Sequence, residues 1–293
     1  MAATSPSGGP FSWSSGAVPD GTPASPRTPM YAGSIAKQFV GALVGLAVLG
    51  RQLDLDTSAR RMVPTLPAWA EDVHVCHLVH HTAGLPTTAE LLAVLDLCDE
   101  AALDNSLVLG GLGRVSQLRE VPGGVFAYSN IGYVLLAEVL RAAAAADPAD
   151  LATTALFTPL GLRSSSFRQN PPYTLRHPPP RTIGDGGLWT TAIDLLRWLD
   201  ALNQGLLGEE LTTLLQTPGR LENGTLLDYA WGMTARPGSF GTTYTHGGTW
   251  RGWTAKTVRN PAARTALALL TSHDDPQLVS DVAVAMHDEL VLG

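Results

Sequence analysis

Ser34 and Lys37 are the residues whose types and spacing point most directly to chemistry. They are three positions apart, where a stretch rich in Gly, Pro and Ser turns into a long apolar segment. Residues i and i+3 share a helix face, so the Lys37 amine is predicted to reach the Ser34 hydroxyl. A serine hydroxyl needs a neighbouring base before it can attack, and a desolvated lysine can be that base whereas an arginine cannot.

The rarity of lysine strengthens the argument for Lys37. Only two of the 19 basic residues are lysines. A cation in the first turn of a helix opposes the helix dipole, at a cost of roughly 0.3–1 kcal/mol, and a capping box would place Glu at this position. A residue that breaks a local rule without visible compensation is typical of a functional site. The free N–H groups of the same helix start would lie beside Ser34, where an oxyanion can form.

Two further motifs follow the Ser-x-x-Lys pair. In chain order they are Tyr128-Ser129-Asn130, after a Pro-Gly-Gly turn, and His246-Gly247-Gly248-Thr249-Trp250, at the end of a predicted strand. The three motifs in this order resemble those of the penicillin-recognising serine enzymes, a superfamily that forms acyl-enzymes on serine. The tyrosine in the middle motif resembles the class C β-lactamase-like branch, which also holds D-alanyl-D-alanine peptidases, D-aminopeptidases, esterases and biosynthetic acyltransferases.

The resemblance extends beyond the three motifs. The segment from His77 to Pro86 is similar to a helix-ending segment of the family, and Gly186 to Ala192 is similar to its later Gly-Gly-Leu stretch. Five matching segments in the same order cover roughly residues 28 to 290.

The resemblance implies an α/β (α+β) fold of two subdomains, in which helices flank an antiparallel sheet and an all-helical subdomain is inserted. Residues 1–33 and 222–293 would form the α/β subdomain and residues 34–221 the helical one, with the active site at their interface. Family members usually carry a helix and a strand before the region that matches Phe11–Val18. The sheet is therefore expected to be either reduced or completed by a partner, since an unpaired edge needs covering.

The pattern of residues agrees with strands near both ends and helices between them. The predicted helices are Ile35–Leu49, Val73–His81, segments near 88–104 and 112–119, a helix from Asn130 into the alanine run 142–146, Leu195–Leu202 and Gln277–Leu290. The predicted strands are Phe11–Val18, Tyr229–Ala235, Thr242–His246, Thr254–Arg259 and Thr265–Thr271.

The resemblance also implies a role for each motif residue. Ser34 would be the nucleophile and Lys37 its proton partner, and Tyr128 would activate Ser34 with Lys37 and then assist the acceptor. Asn130 would orient Lys37 and the substrate amide. The backbone N–H groups of Ser34 and Thr249 would form the oxyanion hole. The remaining residues expected to bind substrate are His246, Gly247, Gly248 and Trp250.

His246 takes the position of the lysine found in true β-lactamases. A lysine offers a permanent positive charge to a substrate carboxylate, whereas a histidine with a pKa near 6.5 is largely neutral at pH 7. Strong recognition of a β-lactam carboxylate is therefore not expected, and the substitution resembles the peptidase, aminopeptidase and esterase members. Trp189, Trp250 and Trp253 can line an apolar cleft, although buried tryptophans more often serve packing.

A metal site is an alternative that the residues leave open. Helical spacing would bring His74, His77 and His81 together beside Cys76 and His80, and imidazole is a common zinc ligand. However, His77 and His81 fall where the resemblance implies structural histidines, and no H-E-x-x-H arrangement is present. The motifs therefore favour an enzyme without metal or cofactor.

Composition excludes several other classes. The 45% hydrophobic and 15% charged residues describe a globular chain, and the net charge of −7 argues against nucleic acid as a partner. The first thirty residues lack the pattern of a signal peptide, and the apolar run from Phe39 to Gly50 is too short to span a bilayer. The sequence predicts a cytoplasmic protein with no membrane partner, and it leaves an oligomer open. Two cysteines are too few for a disulfide framework.

The sequence thus predicts an acyl-transfer enzyme that forms a covalent intermediate at Ser34, on a small ester or amide. The acceptor of the acyl group is open, because water would make the protein a hydrolase and an amine would make it a biosynthetic transacylase. A DD-peptidase or β-lactamase is a further alternative. A non-catalytic penicillin-sensing protein would have lost one of the three motifs, and all three are present.

Overall fold

A computed structural model describes residues 1–6, 9–18, 20–168, 173 and 175–292. Within them, the strands are β1 Ala2–Thr4, β2 Phe11–Ser12, β3 Met30–Tyr31, β4 Trp189–Thr190, β5 Thr234–Gly238, β6 Gly241–Trp250, β7 Trp253–Asn260 and β8 Thr265–Thr271. The α-helices are α1 Ala36–Leu49, α2 Ala59–Met62, α3 Val75–Val79, α4 Thr88–Leu95, α5 Asn105–Leu112, α6 Asn130–Ala144, α7 Pro148–Ala152, α8 Ala192–Asn203, α9 Glu209–Gln216 and α10 Pro276–Leu292.

Six strands form the main sheet in the order β2-β1-β8-β7-β6-β5, and every neighbouring pair is antiparallel. Strand β5 pairs with β6 only as far as Thr245. The second half of β6, from His246 to Trp250, is therefore hydrogen-bonded on one side to β7 and leaves its other edge unpaired by β5.

Side chains alternate between the two faces of this sheet, as the pleat requires. Val258 and Leu267 pack against Ala283 of α10 on one face, and Ala255 and Ala268 belong to the large core on the other. That core contains α1, α6 and α8, so the sheet is covered by helices on both faces. The predicted antiparallel sheet flanked by helices is confirmed; the subdomain boundaries at 33/34 and 221/222 stay a prediction.

Helix α1 is buried almost all round, as its apolar sequence predicts. A polar anchor fixes it between the sheet and α8. The Gln38 Nε2 donates to Thr257 Oγ1 at 2.9 Å, and its Oε1 accepts from the Trp198 Nε1 at 2.9 Å. Both polar groups of this buried amide are satisfied, which avoids the cost of burying an unpaired polar group.

Four local predictions need correction. The helix near 112–119 is absent, because the chain leaves α5 at Leu112 and the N–H groups of Arg119 and Glu120 donate instead to Gly84 O. The long helix Val73–His81 is only α3, because His81 adopts a positive φ. Two strands are shorter than predicted. Strand β2 ends at Ser12, and β5 begins at Thr234, after a turn at 231–232.

The sequence also missed β1, which pairs with both β8 and β2. None of the described helices is long and apolar enough to cross a bilayer.

Candidate active site

Ser34 lies at the start of the most buried helix of the fold. A 3₁₀ turn, Gly33–Ile35, runs directly into α1, and the turn packs against β6 and β7. Ser34 is partly exposed while Gly33 and Ile35 are buried. The Ser34 hydroxyl is thus exposed at the start of an otherwise buried, apolar helix.

Lys37 is completely buried one helical turn further on. Its Nζ lies 3.1 Å from Ser34 Oγ, 2.8 Å from Asn130 Oδ1 and 2.9 Å from the carbonyl oxygen of Asp185. The structure therefore brings Ser34, Lys37 and Asn130 together, from the 3₁₀ turn, α1 and the first residue of α6. The third contact, with Asp185 O, comes from the backbone directly before the Gly-Gly-Leu stretch.

The three partners of Lys37 differ in what they can do. Asp185 O is a carbonyl and Asn130 Oδ1 an amide oxygen, so both only accept, whereas Ser34 Oγ can accept or donate. As an ammonium, Lys37 donates to all three. As a neutral amine, it keeps two protons for the two obligate acceptors and turns its lone pair to the Ser34 O–H. The site thus accommodates both protonation states without any atom moving.

Tyr128 stands at the mouth of the site and is 46% exposed. The Lys37 Nζ lies 4.9 Å from the centroid of its ring, so the amine contacts the ring face. Among the described residues the Tyr128 hydroxyl makes no hydrogen bond, which leaves it available to a bound molecule. The next residue, Ser129, caps α6 by accepting from the Gly132 N–H at 3.0 Å.

The backbone N–H groups of Ser34 and Thr249 lie together because Gly248 has no side chain. An atom added at the Cβ position of Gly248 would overlap the carbonyl oxygen of Ala32 and lie 3.0 Å from the Ser34 nitrogen. Similarly, a Cβ on Gly33 would lie 2.8 Å from the Thr249 nitrogen. The close packing of β6 on the 3₁₀ turn therefore sets two donors side by side, the arrangement an oxyanion hole needs.

His246 lines the site but uses both ring nitrogens inside the protein. Its Nδ1 lies 2.6 Å from Gly247 O, which can only accept, so Nδ1 carries the proton. Its Nε2 therefore accepts from the Tyr229 hydroxyl, 3.1 Å away. Burial, aided by the Lys37 charge, lowers the pKa of His246 to about 3. The imidazole is neutral at pH 7 and offers no positive charge to a substrate.

A cluster of aromatic rings behind Tyr128 was missed by the sequence analysis. His81, which is 1% exposed, lies at its centre. Its ring centroid is 4.3 Å from that of Tyr128, 5.0 Å from that of Tyr133 and 4.6 Å from that of Tyr229. The Ser129 N–H donates to His81 Nδ1 at 3.1 Å, so His81 supports the Tyr128 segment. Its pKa is lowered well below the ordinary value, first by burial and then by the Lys37 charge.

The three candidate tryptophans occupy different places. Trp189 and Trp253 are buried, and their rings pack against each other at a centroid distance of 6.1 Å. They belong to the hydrophobic core and do not line the cleft, which agrees with the packing role that is more usual for buried tryptophans. Trp250 is partly exposed and donates from Nε1 to His177 O at 3.1 Å. Beside it, Arg251 forms a bidentate pair with Asp99 across the rim.

An open cleft of about 420 Å³ connects the site to solvent. Its walls are Ser34, Tyr128, His246, Gly247, Gly248, Thr249, Thr254, Ala255, Lys256, Pro276, Gln277 and Ser280. It passes over the edge of β6 that β5 leaves unpaired and reaches the start of α10. A second cavity of about 430 Å³ adjoins Tyr128 and Asn130 on the helical side, next to Leu85 and Val125.

The histidine-rich segment does not assemble as predicted. His81 points into the aromatic cluster, away from His74 and His77. The ligand atoms of His74, Cys76 and His77 do lie within 4.8 Å of one another. However, the two imidazoles form a reciprocal capping box around α3, in which His77 Nδ1 accepts from the His74 N–H at 3.1 Å. A metal bound there would have to displace this cap.

Comparison with known proteins identifies the family of this chain. Residues 9–290 match the model of the Beta-lactamase family. The chain belongs to this family. It is 22% identical over 293 residues to penicillin-binding protein 4* of Bacillus subtilis (strain 168), covering 89% of this chain and 64% of that protein. It is 25% identical over 271 residues to a D-aminopeptidase of Gluconobacter oxydans (strain 621H), covering 86% of this chain and 50% of that protein.

The fold agrees with that of a penicillin-binding protein from Bacillus halodurans. The two superpose with a TM-score of 0.81 at 19% identity, covering 97% of this chain and 95% of the other. The chain spans between half and two thirds of the length of the two relatives named above. The predicted resemblance to penicillin-recognising serine enzymes is confirmed at the level of family and fold.

Proposed function

We propose that the protein is a serine acyl-transfer enzyme that acylates Ser34 with a small ester or amide and then releases the acyl group to water. The observation that carries this proposal is the buried Lys37 amine, whose three oxygen partners suit both of its protonation states. Its relatives include a D-aminopeptidase and penicillin-binding proteins, which supports acyl transfer as the reaction class.

In the acylation step, Ser34 Oγ attacks the carbonyl carbon while its proton moves to the Lys37 Nζ lone pair. The carbonyl oxygen becomes negative between the N–H groups of Ser34 and Thr249. When the tetrahedral species collapses, the bond to the leaving oxygen or nitrogen breaks, and that atom takes a proton supplied by Lys37. Tyr128, which lies beside Lys37 and faces solvent, is proposed to relay this proton to the leaving group.

Deacylation runs the same steps with water in the place of the leaving group. Water gives a proton towards Tyr128 and Lys37 as its oxygen attacks the acyl carbon. The ester bond between that carbon and Ser34 Oγ then breaks, Ser34 Oγ takes the proton back, and the free acid leaves. The open cleft and the 46% exposure of Tyr128 support water as the acceptor. A transacylase would need a site that excludes water or that binds the acceptor well.

Mass spectrometry of the intact protein tests this proposal. After exposure to aryl acetates and to a fluorophosphonate, the wild type should gain one acyl or phosphonyl group on a peptide that contains Ser34. Ser34→Ala should gain none. Ser280, which lines the same cleft as Ser34, provides the control, because Ser280→Ala should still be labelled. A metal-dependent hydrolase would instead keep its activity in Ser34→Ala and lose it to a chelator.

A further inference from the structure

The start of α3 carries three metal-binding side chains that the proposed acyl transfer does not use. His74, Cys76 and His77 are partly buried, and their imidazole nitrogens and sulfur lie within 4.8 Å of one another. Zinc bonds nitrogen at about 2.0 Å and sulfur at about 2.3 Å, so the ligands of a tetrahedral ion stand roughly 3.3–3.8 Å apart. Small rotations of the three side chains would therefore close them around one ion.

The backbone around this cluster is held by the segment that precedes it. His74 is the N-cap of α3 and has an extended backbone, and Cys76 lies in the first helical turn. The Val75 N–H donates to Thr57 O at 3.1 Å. The Cys76 N–H donates to Leu55 O at 3.0 Å. Because these bonds do not involve the side chains of the cluster, the start of α3 keeps its position when those side chains change partners.

The cap formed by the two imidazoles is the contact that a metal ion would replace. His77 Nδ1 accepts from the His74 N–H at 3.1 Å, so this nitrogen holds a lone pair. Burial, followed by the His74 ring, lowers the pKa of His77, and its ring is neutral at pH 7. Loss of one helix cap weakens binding by only about fivefold. Nitrogen and sulfur ligands bind zinc by several orders of magnitude more than that, so the ion outcompetes the cap.

Two carboxylates give this end of α3 a negative potential. Burial, followed by the charges of Asp56 and Glu222, raises the pKa of the Cys76 thiol to about 11. In the part of the chain that the structure describes, neither carboxylate forms a hydrogen bond or an ion pair. Arg220 is the neighbouring cation, and it donates to a backbone carbonyl four residues further on. A metal cation meets two uncompensated negative charges here and displaces the thiol proton when it binds.

A cavity of about 290 Å³ gives an ion access to the cluster. Cys76 and His77 line one wall, and residues 218–222 line the other. The Glu222 N–H donates to Gly123 O at 3.0 Å. A Cβ at Gly123 would lie 2.5 Å from the Glu222 Cγ, so this side chain lies directly over the glycine. An ion held by α3 would therefore face Glu222 across the cavity.

We propose that His74, Cys76 and His77 bind a zinc ion whose fourth position faces the cavity and Glu222. Two imidazoles and a thiolate are the donor set that zinc prefers among the common divalent ions. The inference does not depend on the proposed function. Within the described residues, this cavity shares no lining residue with the cleft at Ser34. The ion stabilises the start of α3 and takes no part in acyl transfer.

Metal titration of chelator-treated, desalted protein tests the inference. The wild type should bind one equivalent of zinc with a Kd of about 1 μM or lower. Zinc at a hundred times this Kd should raise the Tm by about 5 °C or more. Cobalt(II), used as a spectroscopic probe, should give the near-ultraviolet charge-transfer band of a thiolate ligand.

Two variants remove ligands from the cluster without removing its fold. Cys76→Ser should lose the cobalt band and weaken zinc binding at least about tenfold. His77→Gln should weaken zinc binding to a similar extent while keeping the helix cap, because glutamine at this position also accepts from the N-cap N–H. Cys98→Ser is the matched control, because it removes the other thiol of the chain, which is exposed and free. It should bind zinc and cobalt as the wild type does.

A wild type that binds no zinc, or binds it equally well after Cys76→Ser and His77→Gln, refutes the site. Loss of the cobalt band in Cys98→Ser would refute it as well. The proposed function is tested separately, since fluorophosphonate should still label Ser34 in Cys76→Ser. Failure of that labelling in the wild type too would count against the proposed function and not against the zinc site.

Discussion

The two lysines of this chain occupy opposite environments in one cleft. Lys37 is completely buried, and each of its three protons has an oxygen acceptor within 3.1 Å. Lys256 is partly exposed, and within the described residues it has neither hydrogen bond nor ion pair. One amine is held in place by three oxygen acceptors of the protein, whereas the other lines the open cleft without such a contact.

The contrast between the two lysines shows how a residue that carries a proton can be distinguished from a residue that binds a ligand. A residue that moves a proton needs a fixed geometry in both of its charge states, and obligate acceptors such as Asp185 O provide it. A residue that binds an anion needs a permanent charge and an unfilled side. Both kinds of residue carry the same type of charge, so they are distinguished by the number and kind of their partners within the protein.

The largest expected effect comes from changing each lysine to arginine. Lys37→Arg keeps the charge but loses the amine that accepts a proton, and it crowds a buried site, so turnover should fall by about 10³ or more. Lys256→Arg should stay within about threefold of the wild type, because Lys256 makes no hydrogen bond or ion pair within the described residues and takes no part in the proposed proton transfer. Turnover of an uncharged aryl acetate measures both changes. Comparable losses of turnover in the two variants would contradict the difference between the two lysines.

A smaller effect is expected from methyl groups on two adjacent glycines. Gly248→Ala would push β6 away from the 3₁₀ turn and separate the Ser34 and Thr249 donors, at a cost of about 10²-fold in turnover. Gly247→Ala is the matched control, because the space there is open. It should alter turnover of an uncharged ester by less than about threefold. Steady-state kinetics together with urea unfolding would separate a catalytic loss from a loss of folding.

The smallest effect on catalysis concerns the charge of His246, which should stay neutral throughout the working pH range. Its pKa of about 3 in the folded state lies below the unfolded value near 6.5. The unfolded chain therefore binds more protons between these values, and the free energy of unfolding should fall as the pH drops below 6.5. His80, with a pKa lowered to about 4 by burial, acts in the same direction.

Urea unfolding at pH 7, 5 and 4 measures this loss of stability, which should reach several kcal/mol at about 1.4 kcal/mol per pH unit and per histidine. His246→Gln should flatten the dependence. Histidine NMR signals provide the direct check, since His246 should not titrate between pH 5 and 8. A normal titration there would mean that His246 becomes a cation within the working pH range.

Much of the site follows from local sequence rules. The i, i+3 spacing of Ser34 and Lys37 survives folding because both residues belong to one helix start. The apolar character of α1 correctly predicts that Lys37 is buried. The order of the strands in the second half of the chain also follows from alternation and turns, which act over a few residues.

The features that the sequence did not reveal depend on contacts between distant segments. The carbonyl of Asp185 meets Lys37 only because two parts of the chain 148 residues apart are folded together, and a backbone acceptor leaves no trace in residue type. Lys256 reaches the cleft through its register opposite Gly247, which a one-residue slip would abolish. The choice between cleft and core for Trp189 and Trp253 stayed open, because a tryptophan beside a site and one behind it look alike in sequence.

The Gln38 anchor has a consequence for how the nucleophilic centre is aimed. Successive residues project about 100° apart around a helix axis, so fastening Gln38 to Thr257 and Trp198 sets the azimuth of Lys37. The rotation of α1 about its own axis is therefore fixed by hydrogen bonds to a tryptophan on another helix and to a threonine in the sheet. The orientation of the nucleophilic centre therefore depends on hydrogen bonds made on another face of the same helix.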